Sequence, residues 1–245
     1  MNLKTKASIL ALWALVGSGA LVAGTDSIPA AGGDILITPI MHGSVQVEFG
    51  DTVIYVDPWS RGDYSGAPKA DLILVTDIHG DHLDAEAIAG LSQEGTEVVV
   101  SATVAEELGS GTVIANGESK EFAGVLVEAM PMYNLKRGPE EGKLFHDKGR
   151  GNGYIVTLGE KKIYFAGDTA CTPEMEALTD IDVAFVPMNL PYTMPPEEAA
   201  ECVAAFKPAI VYPYHYRGSD LEVFKAGLAG VPEVEVRIRE WYPGS

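Results

Sequence analysis

The sequence predicts an α/β fold in which two sheets pack face to face and helices cover their outer faces, a four-layer αββα sandwich. Short strand-like segments, either alternating or continuously apolar, are mixed with short amphipathic helices along the whole chain. The chain also divides into two halves with a similar order of elements. We assign residues 34–245 to one domain of this fold.

The first half opens with strands whose apolar residues alternate or run together, separated by turns at His42-Gly43 and Gly50-Asp51. The segment 71–75 lacks alternation, as expected of a strand covered on both faces. The predicted elements are strands at 34–40, 44–49, 52–58, 71–75, 97–101 and 124–130, and helices at 84–91, capped by Asp84, and 103–108.

The second half repeats this scheme, and its strongest helix opens with prolines and glutamates at 195–198. The predicted elements are strands at 153–159, 161–167, 182–188, 209–216 and 234–240, and helices at 173–178, 195–206 and 220–230.

Residues 1–24 have the layout of a secretory signal peptide, with lysines first, an apolar middle and small residues at the end. We expect an exported protein, periplasmic or secreted, with a linker at 25–33 and no stable membrane insertion after cleavage. An uncleaved membrane anchor is the alternative, because the apolar run is near the lower limit of spanning length.

The formal charge of −18 argues against nucleic acid as a partner. A small molecule is the expected substrate, and the oligomeric state stays open. The chain has two cysteines, Cys171 and Cys202, without C-x-x-C spacing. An exported protein could pair them, but the sequence does not show whether they are close enough.

The segment "VTDIHGDHLD" at 75–84 concentrates the candidate chemistry. His79, Asp81 and His82 lie in one turn after an apolar strand. Imidazoles and a carboxylate this close would repel one another and lose solvation in a core, so a bound cation is the natural partner. Three further candidates follow predicted strands or lie in an adjoining loop: Asp168, His215 and His146.

Together with "GNGYIVTLGEKKIYFAGDT", "VAFVPMNLPYTMPPEEAA" and "YPYHYRG", this segment resembles the metallo-β-lactamase superfamily, and within it the metal-dependent hydrolases related to ascorbate-phosphate lactonase. The resemblance covers roughly residues 36–220 and implies the αββα sandwich with two metal ions in a cleft at the sheet edges. "MHGSVQVEFGDTVIYVDPW" resembles the opening of that branch and places His42 near the site.

The resemblance implies a ligand set. His79 would bind the first metal, and Asp168 would bridge both. Asp81, His82 and His215 would bind the second metal, with Asp81 also orienting a metal-activated hydroxide as the catalytic carboxylate. Zinc is the default metal of the fold, with manganese or iron as alternatives.

Two positions depart from the family pattern H-x-H-x-D-H. Asp77 stands where the first histidine is expected, and Asn134 stands where a later metal histidine is usual. We predict that Asp77 and His146 replace the two histidines, because Asp77 lies on the same side of the chain as His79 and carries a charge that a cation would balance. A carboxylate in place of an imidazole hardens the site and favours manganese, magnesium or iron relative to zinc.

The segment 136–150 holds five of the chain's seventeen basic residues. One interpretation is a solvated loop; the other is that Lys148 or Arg150 recognises an anionic group of the substrate. His42 and Asn134 complete the predicted substrate-binding residues.

The predicted function is hydrolysis of a small ester, lactone or phosphoester by a metal-dependent enzyme. The alternatives are a non-catalytic metal- or ligand-binding module that has partly lost the first metal site, and a β-lactamase. The number of bound ions, measured together with turnover, separates the first two.

The export prediction depends on residues 1–24. Intact-mass measurement of protein from the native host should show a mature chain that begins between about Leu21 and Ala31. A full-length chain that still starts at Met1 would contradict it.

Overall fold

The computed structural model describes residues 24–242 and shows the predicted four-layer sandwich. Two seven-stranded mixed sheets face each other. The predicted signal peptide lies outside the described residues, apart from Gly24. Among the helices of residues 24–242, none is long and apolar enough to cross a membrane.

The first sheet has its strands in sequential order. Its first four strands are antiparallel, and the later ones run parallel to β4. The strands are β1 (Asp26–Ala30), β2 (Gly33–Met41), β3 (Ser44–Phe49), β4 (Thr52–Val56), β5 (Leu72–Leu74), β6 (Glu97–Val100) and β7 (Thr112–Val113). Its helices are α1 (Ala85–Leu91) and α2 (Ala102–Leu108).

The second sheet repeats this topology, so the two halves predicted from the sequence are confirmed. Strands β8 to β11 are antiparallel, and β12 to β14 run parallel to β11. The strands are β8 (Ser119–Phe122), β9 (Val125–Met132), β10 (Gly151–Leu158), β11 (Lys161–Phe165), β12 (Val183–Pro187), β13 (Ile210–Tyr214) and β14 (Glu235–Val236). Its helices are α3 (Pro173–Glu176), α4 (Pro196–Phe206) and α5 (Leu221–Gly227).

Successive side chains along each strand point to opposite faces of the sheet, and this alternation produces the layers. Ile54 and Val56 of β4 enter the core between the sheets, whereas Val53 and Tyr55 pack toward α1 and α2. Aromatic rings fill the space between the sheets, where Phe185 stacks between Phe165 and Tyr212 at centroid distances of 4.8 and 4.9 Å. This rigid double sheet fixes where the strands end, and the candidate site lies at those ends.

The predicted linker at 25–33 is wrong, because residues 26–30 form β1 and pair with β2. Ile28 is buried in the core. Both Asp26 carboxylate oxygens accept hydrogen bonds from Arg239, and one also accepts from the Tyr212 hydroxyl. A chain that began at Ala31 would lack this strand and its contacts with Arg239 and Tyr212.

Two edges also differ from the sequence prediction. Strand β8 was missed because its residues, Ser119–Phe122, are mostly polar and exposed. The final strand, predicted over 234–240, contains only Glu235–Val236. Beyond it, the side chains of Arg237 and Arg239 pair with carboxylates.

Cys171 and Cys202 form a disulfide, with their Cα atoms 5.6 Å apart. The bond joins α4 to the loop that follows β11, three residues after Asp168. Because it closes a loop with a sequence separation of 31 residues, it is expected to stabilise the fold by about 3–4 kcal/mol. The pairing that the sequence left open is therefore present.

Candidate metal centre

The candidate site lies where parallel strands of both sheets end. Asp57 follows β4, and the turn with His79, Asp81 and His82 follows β5. Asp168 follows β11 and His215 follows β13, so both halves contribute to one cluster. The carboxyl ends of parallel strands are the usual binding edge of such sheets.

The turn after β5 is held in place by its own backbone. The amides of His82 and Leu83 both donate to the carbonyl of His79, at 2.9 and 2.7 Å. Asp84 then caps α1 by accepting from the amides of Glu86 and Ala87. The predicted cap is confirmed, and it fixes the end of the turn against a helix.

One group of possible ligands comprises His82, Asp168 and His215. The Nε2 atoms of the two histidines each lie 3.4 Å from an oxygen of the Asp168 carboxylate. Asp81 extends this group, because its Oδ2 is 3.3 Å from His215 Nε2. The side chain of Asp81 is 30% exposed, whereas those of the other three residues are buried.

A second group comprises Asp77, His79 and His146. Asp77 Oδ2 lies 2.9 Å from His79 Nδ1 and 3.7 Å from His146 Nε2. His146 Nε2 is also 3.2 Å from Asp168 Oδ2, so the Asp168 carboxylate lies between the two groups. The structure thus brings together all the predicted metal ligands, including Asp77 and His146.

Unpartnered polar atoms support a cation at this place. A buried polar atom without a hydrogen bond costs free energy, and the donor set of imidazole nitrogens and carboxylate oxygens suits a divalent cation. In residues 24–242, the site atoms that are buried without a hydrogen bond are His82 Nε2, His146 Nε2, Asp168 Oδ1 and both ring nitrogens of His215. The residues present therefore fit a metal ion.

The charges of the site are strongly coupled. Burial raises the pKa of Asp168, but the neighbouring imidazoles of His215 and His82 outweigh it and hold the pKa well below its usual value. Burial disfavours the charged form of His82, yet the carboxylates on its two sides raise its pKa well above the ordinary value. A cation would replace the proton on His82 and balance the same carboxylates.

Asp57 and Thr76 were missed by the sequence analysis, and they orient His82. The Asp57 carboxylate is fully buried and lies 2.7 Å from His82 Nδ1, so Nε2 faces Asp168. Asp57 also accepts from the hydroxyl and the amide of Thr76. The signal was present in "YVDP", where a carboxylate follows an apolar strand as Asp168 does. Such outer partners fix the tautomer of a metal-binding histidine.

Asn134 orients the ring of His146, as Asp57 orients that of His82. The prediction that Asn134 binds the substrate is therefore corrected. Its Oδ1 accepts from the His146 amide at 2.9 Å and lies 2.8 Å from His146 Nδ1. Its Nδ2 donates to the carbonyl of Tyr192. Because Asn134 is buried and both ends of its amide are engaged, it orients His146 and does not face a substrate.

Lys148 and Arg150, the two side chains predicted to bind an anionic substrate, are also paired with other residues of the protein. Arg150 donates from Nε and Nη2 to the two oxygens of Asp77, at 2.9 and 2.8 Å. Lys148 pairs with Glu174 and lies over the ring of Tyr133. Neither cation is among the residues that line the cleft, so the prediction that they bind an anionic substrate is not supported.

The Asp77 carboxylate has a positively charged partner in Arg150. Burial raises the pKa of Asp77, but the hydrogen bond with His79 and the positive groups around it lower the pKa to about 2. Arg150 therefore supplies part of the balancing charge that we attributed to a cation alone. A carboxylate offers about four lone-pair positions, so Asp77 can accept from Arg150 and still face His79 and His146.

His42 lies beside the metal-binding groups, as predicted, and contacts Asp81. Its Nε2 is 3.0 Å from Asp81 Oδ2, and its Nδ1 is 2.6 Å from the Tyr242 hydroxyl. Burial lowers the pKa of His42 to about 4, so the ring is neutral near pH 7. In that state, Nε2–H donates to Asp81 and Nδ1 accepts from Tyr242.

A cleft of about 630 Å³ opens above these groups. His79, Asp81, Asp168 and His215 lie in its wall, so the site is accessible to a small molecule. The remaining lining residues are His42, Trp59, Gly80, Phe145, Asn189, Tyr192 and Arg217.

The role of Asn134 gives a prediction. Asn134→Ala removes the acceptor that orients His146, so it should weaken one cation site by roughly 10- to 100-fold. The group around His82 keeps Asp57 and should bind as before. Zinc titration against a chelator of known affinity measures both steps. Asn189→Ala, which truncates an asparagine that lines the cleft and has no hydrogen bond with His146, serves as the control. Equal weakening of both steps, or of neither, would contradict the assignment.

Comparison with known proteins agrees with this geometry. Residues 36–215 match the β-lactamase superfamily domain. A UPF0173 metal-dependent hydrolase of Thermococcus onnurineus is 33% identical over 212 residues, which cover 79% of this chain and 92% of that protein. The crystal structure of a protein described as a metal-dependent hydrolase from Parabacteroides distasonis is 41% identical, with a TM-score of 0.83 and coverage of 89% of this chain and 99% of that one.

A third similar protein is Igni18, a metallo hydrolase from Ignicoccus hospitalis. It is 25% identical, with a TM-score of 0.70 and coverage of 84% of this chain and 95% of that one. The superfamily resemblance read from the sequence motifs is confirmed. The chain belongs to the UPF0173 group of the β-lactamase superfamily.

Proposed function

We propose that this metal-dependent hydrolase of the β-lactamase superfamily holds two divalent cations and cleaves a small ester, lactone or phosphoester. The observation that carries the proposal is the convergence of three buried imidazole nitrogens on one carboxylate. His82, His146 and His215 direct unpartnered Nε2 atoms toward Asp168, beside an open cleft.

Bound cations would lower the pKa of a water molecule and stabilise the negative charge that develops during hydrolysis. The protein's own contribution is positioning. Asp81 is the partly exposed carboxylate of the cluster. Its Oδ2 is hydrogen-bonded to His42 Nε2 at 3.0 Å and lies 3.3 Å from His215 Nε2. In this proposal, its carboxylate accepts a hydrogen bond from the attacking water and so orients it.

Nucleophilic catalysis by cysteine is not available, because Cys171 and Cys202 are joined in the disulfide. The sequence also lacks the G-x-S-x-G pattern of serine hydrolases. These observations support direct attack by water over a covalent intermediate.

Zinc is our proposed metal, since imidazoles dominate around Asp168. The carboxylate of Asp77 makes its group harder than one built of histidines alone, so manganese or iron is the proposed alternative there.

The cleft volume of about 630 Å³ suits a small-molecule substrate, and the formal charge of −18 disfavours nucleic acid. We also propose export to the periplasm or the exterior. The disulfide supports it, because such bonds persist mainly in oxidising compartments.

The competing proposal is a non-catalytic module that holds a single cation. The pairing of Asp77 with Arg150 favours it, because that carboxylate has a partner without any metal. Both proposals place a cation at His82, Asp168 and His215, and they differ in whether the group around His146 is also filled.

The hydrolase proposal is tested by counting bound ions and measuring turnover on chromogenic ester, lactone and phosphodiester substrates. The wild type should bind about two ions per chain and turn over one of these classes. Asp168→Ala should lower turnover by at least about 100-fold and weaken both ions, because this carboxylate lies between the groups. His146→Ala should weaken mainly one ion.

Asp51→Ala, in the exposed turn before β4, is the control for loss of a carboxylate. Circular dichroism checks that each variant keeps its secondary structure. Turnover retained by Asp168→Ala would overturn the proposed centre, and one ion without turnover in the wild type would favour the non-catalytic module.

A further inference from the structure

The arginines of this chain differ in their partners. Arginine occurs at positions 61, 137, 150, 217, 237 and 239, all within the described residues. Those at 137, 150, 237 and 239 pair with Glu198, Asp77, Glu235 and Asp26. Among the ion pairs of residues 24–242, neither Arg61 nor Arg217 has a carboxylate partner. Both instead lie over aromatic rings beside the cleft.

Arg217 is anchored to the metal centre through its backbone. It follows His215 by two residues, and its amide donates to the Tyr242 hydroxyl at 2.9 Å. The same hydroxyl is 2.6 Å from His42 Nδ1. The guanidinium of Arg217 lies 5.4 Å from the Tyr242 ring centroid, and the residue lines the cleft. The Tyr242 hydroxyl therefore links the backbone of Arg217 to the ring of His42.

Arg61 is not among the residues that line the cleft, but it lies against a ring that does. Its guanidinium lies 4.7 Å from the centroid of the Trp59 ring. Trp59 lines the cleft, and its ring centroid is 5.6 Å from that of His42. The rings of Trp59 and Tyr242 therefore both flank His42, and each carries an arginine.

We propose that Arg217 binds an anionic group of the substrate, a carboxylate or a phosphate, separate from the bond that is cleaved, and that Arg61 contributes a second positive charge next to Trp59. This inference rests on the hydrolase function proposed above. A guanidinium presents a planar fork of donors that matches both anions, and stacking on a ring leaves the edge of that fork free. In a chain of formal charge −18, two arginines without carboxylate partners beside one cleft provide a local site for an anion.

The remaining wall suggests the rest of the substrate. Phe145 and Tyr192 meet edge to face with ring centroids 5.0 Å apart, and both line the cleft. Tyr192 is 44% exposed, so its ring surface is available to a ligand. Aromatic walls bind apolar or planar groups. The proposed substrate class is a small ester, lactone or phosphoester that combines a compact apolar part with one further anionic group.

The test compares two esters that differ in one charge, 4-nitrophenyl hydrogen glutarate and its neutral methyl ester, on the metal-loaded enzyme. The wild type should prefer the anionic ester. Arg217→Gln should lower kcat/KM for that ester by roughly 10- to 100-fold, the range expected for a hydrogen bond to a charged group. It should leave the neutral ester unchanged within about twofold. Arg61→Gln should show the same selectivity with a smaller effect.

Lys225→Gln on α5 is the matched control, because it removes one positive charge outside the cleft lining. It should change neither ester. If Arg217→Gln lowers both esters equally or neither, the anion site is wrong while hydrolysis itself stands.

Calorimetric titration of glutarate and of inorganic phosphate shows whether the site prefers a carboxylate or a phosphate. It also tests the anion site independently of the hydrolase function. Either anion should bind the wild type more tightly than Arg217→Gln, and the tighter one identifies the group. If neither ester is cleaved, ester hydrolysis fails, and the titrations alone decide the anion site. Equal binding by the wild type and Arg217→Gln overturns it.

Discussion

The carboxylate of Asp168 is the point on which the rest of the site depends. It is buried, and three imidazole nitrogens without hydrogen bonds lie 3.2 to 3.4 Å from its oxygens. Leaving so many polar atoms unsatisfied in a folded protein is costly, and bound cations would remove the cost. Strands of both sheets end beside this carboxylate, and both halves of the chain contribute side chains around it. The packing of the two sheets therefore determines the geometry of the site.

The surrounding structure accepts local strain to hold these groups. His42, Asp57 and His215 have φ values of 58, 46 and 48°, in the left-handed region that residues with a Cβ seldom adopt. Gly167, directly before Asp168, has φ 65°, and a Cβ there would lie 2.5 Å from Met132 Sδ. Strain of about 1 kcal/mol or more at each non-glycine position persists only where neighbouring contacts enforce it. At this site, the backbone of each strained residue is hydrogen-bonded: the His215 amide donates to the His42 carbonyl at 3.0 Å, and the Asp57 amide donates to the Leu74 carbonyl at 2.9 Å.

The sequence predicted the elements that its periodicity determines and the ligands that stand at strand ends. The αββα layers and the Asp84 cap are confirmed, and the structure brings the predicted ligands His79, His82, Asp168 and His215 to one site. Strand β1 was missed because its pairing with β2 and its contacts with Arg239 are tertiary.

The partners of side chains in the loops around the site could not be predicted from the sequence either. Charge alone could not show that Arg150 faces Asp77, that Asn134 faces His146, or that the arginines beside the cleft are those at 61 and 217. Such pairings depend on how loops from distant parts of the chain meet, and the amino-acid composition of a loop does not predict its tertiary contacts.

The central claim is that both groups around Asp168 hold a cation, including the one built from Asp77 and His146. Anomalous diffraction from crystals of the metal-loaded protein, collected at the absorption edges of zinc, manganese and iron, tests it most directly. We predict two peaks. One lies about 2.0–2.3 Å from ligand atoms of His82, His215 and Asp168, and the other at the same distance from His79, His146 and Asp77. A single peak at the first position, with Asp77 bound only to Arg150, would contradict the claim.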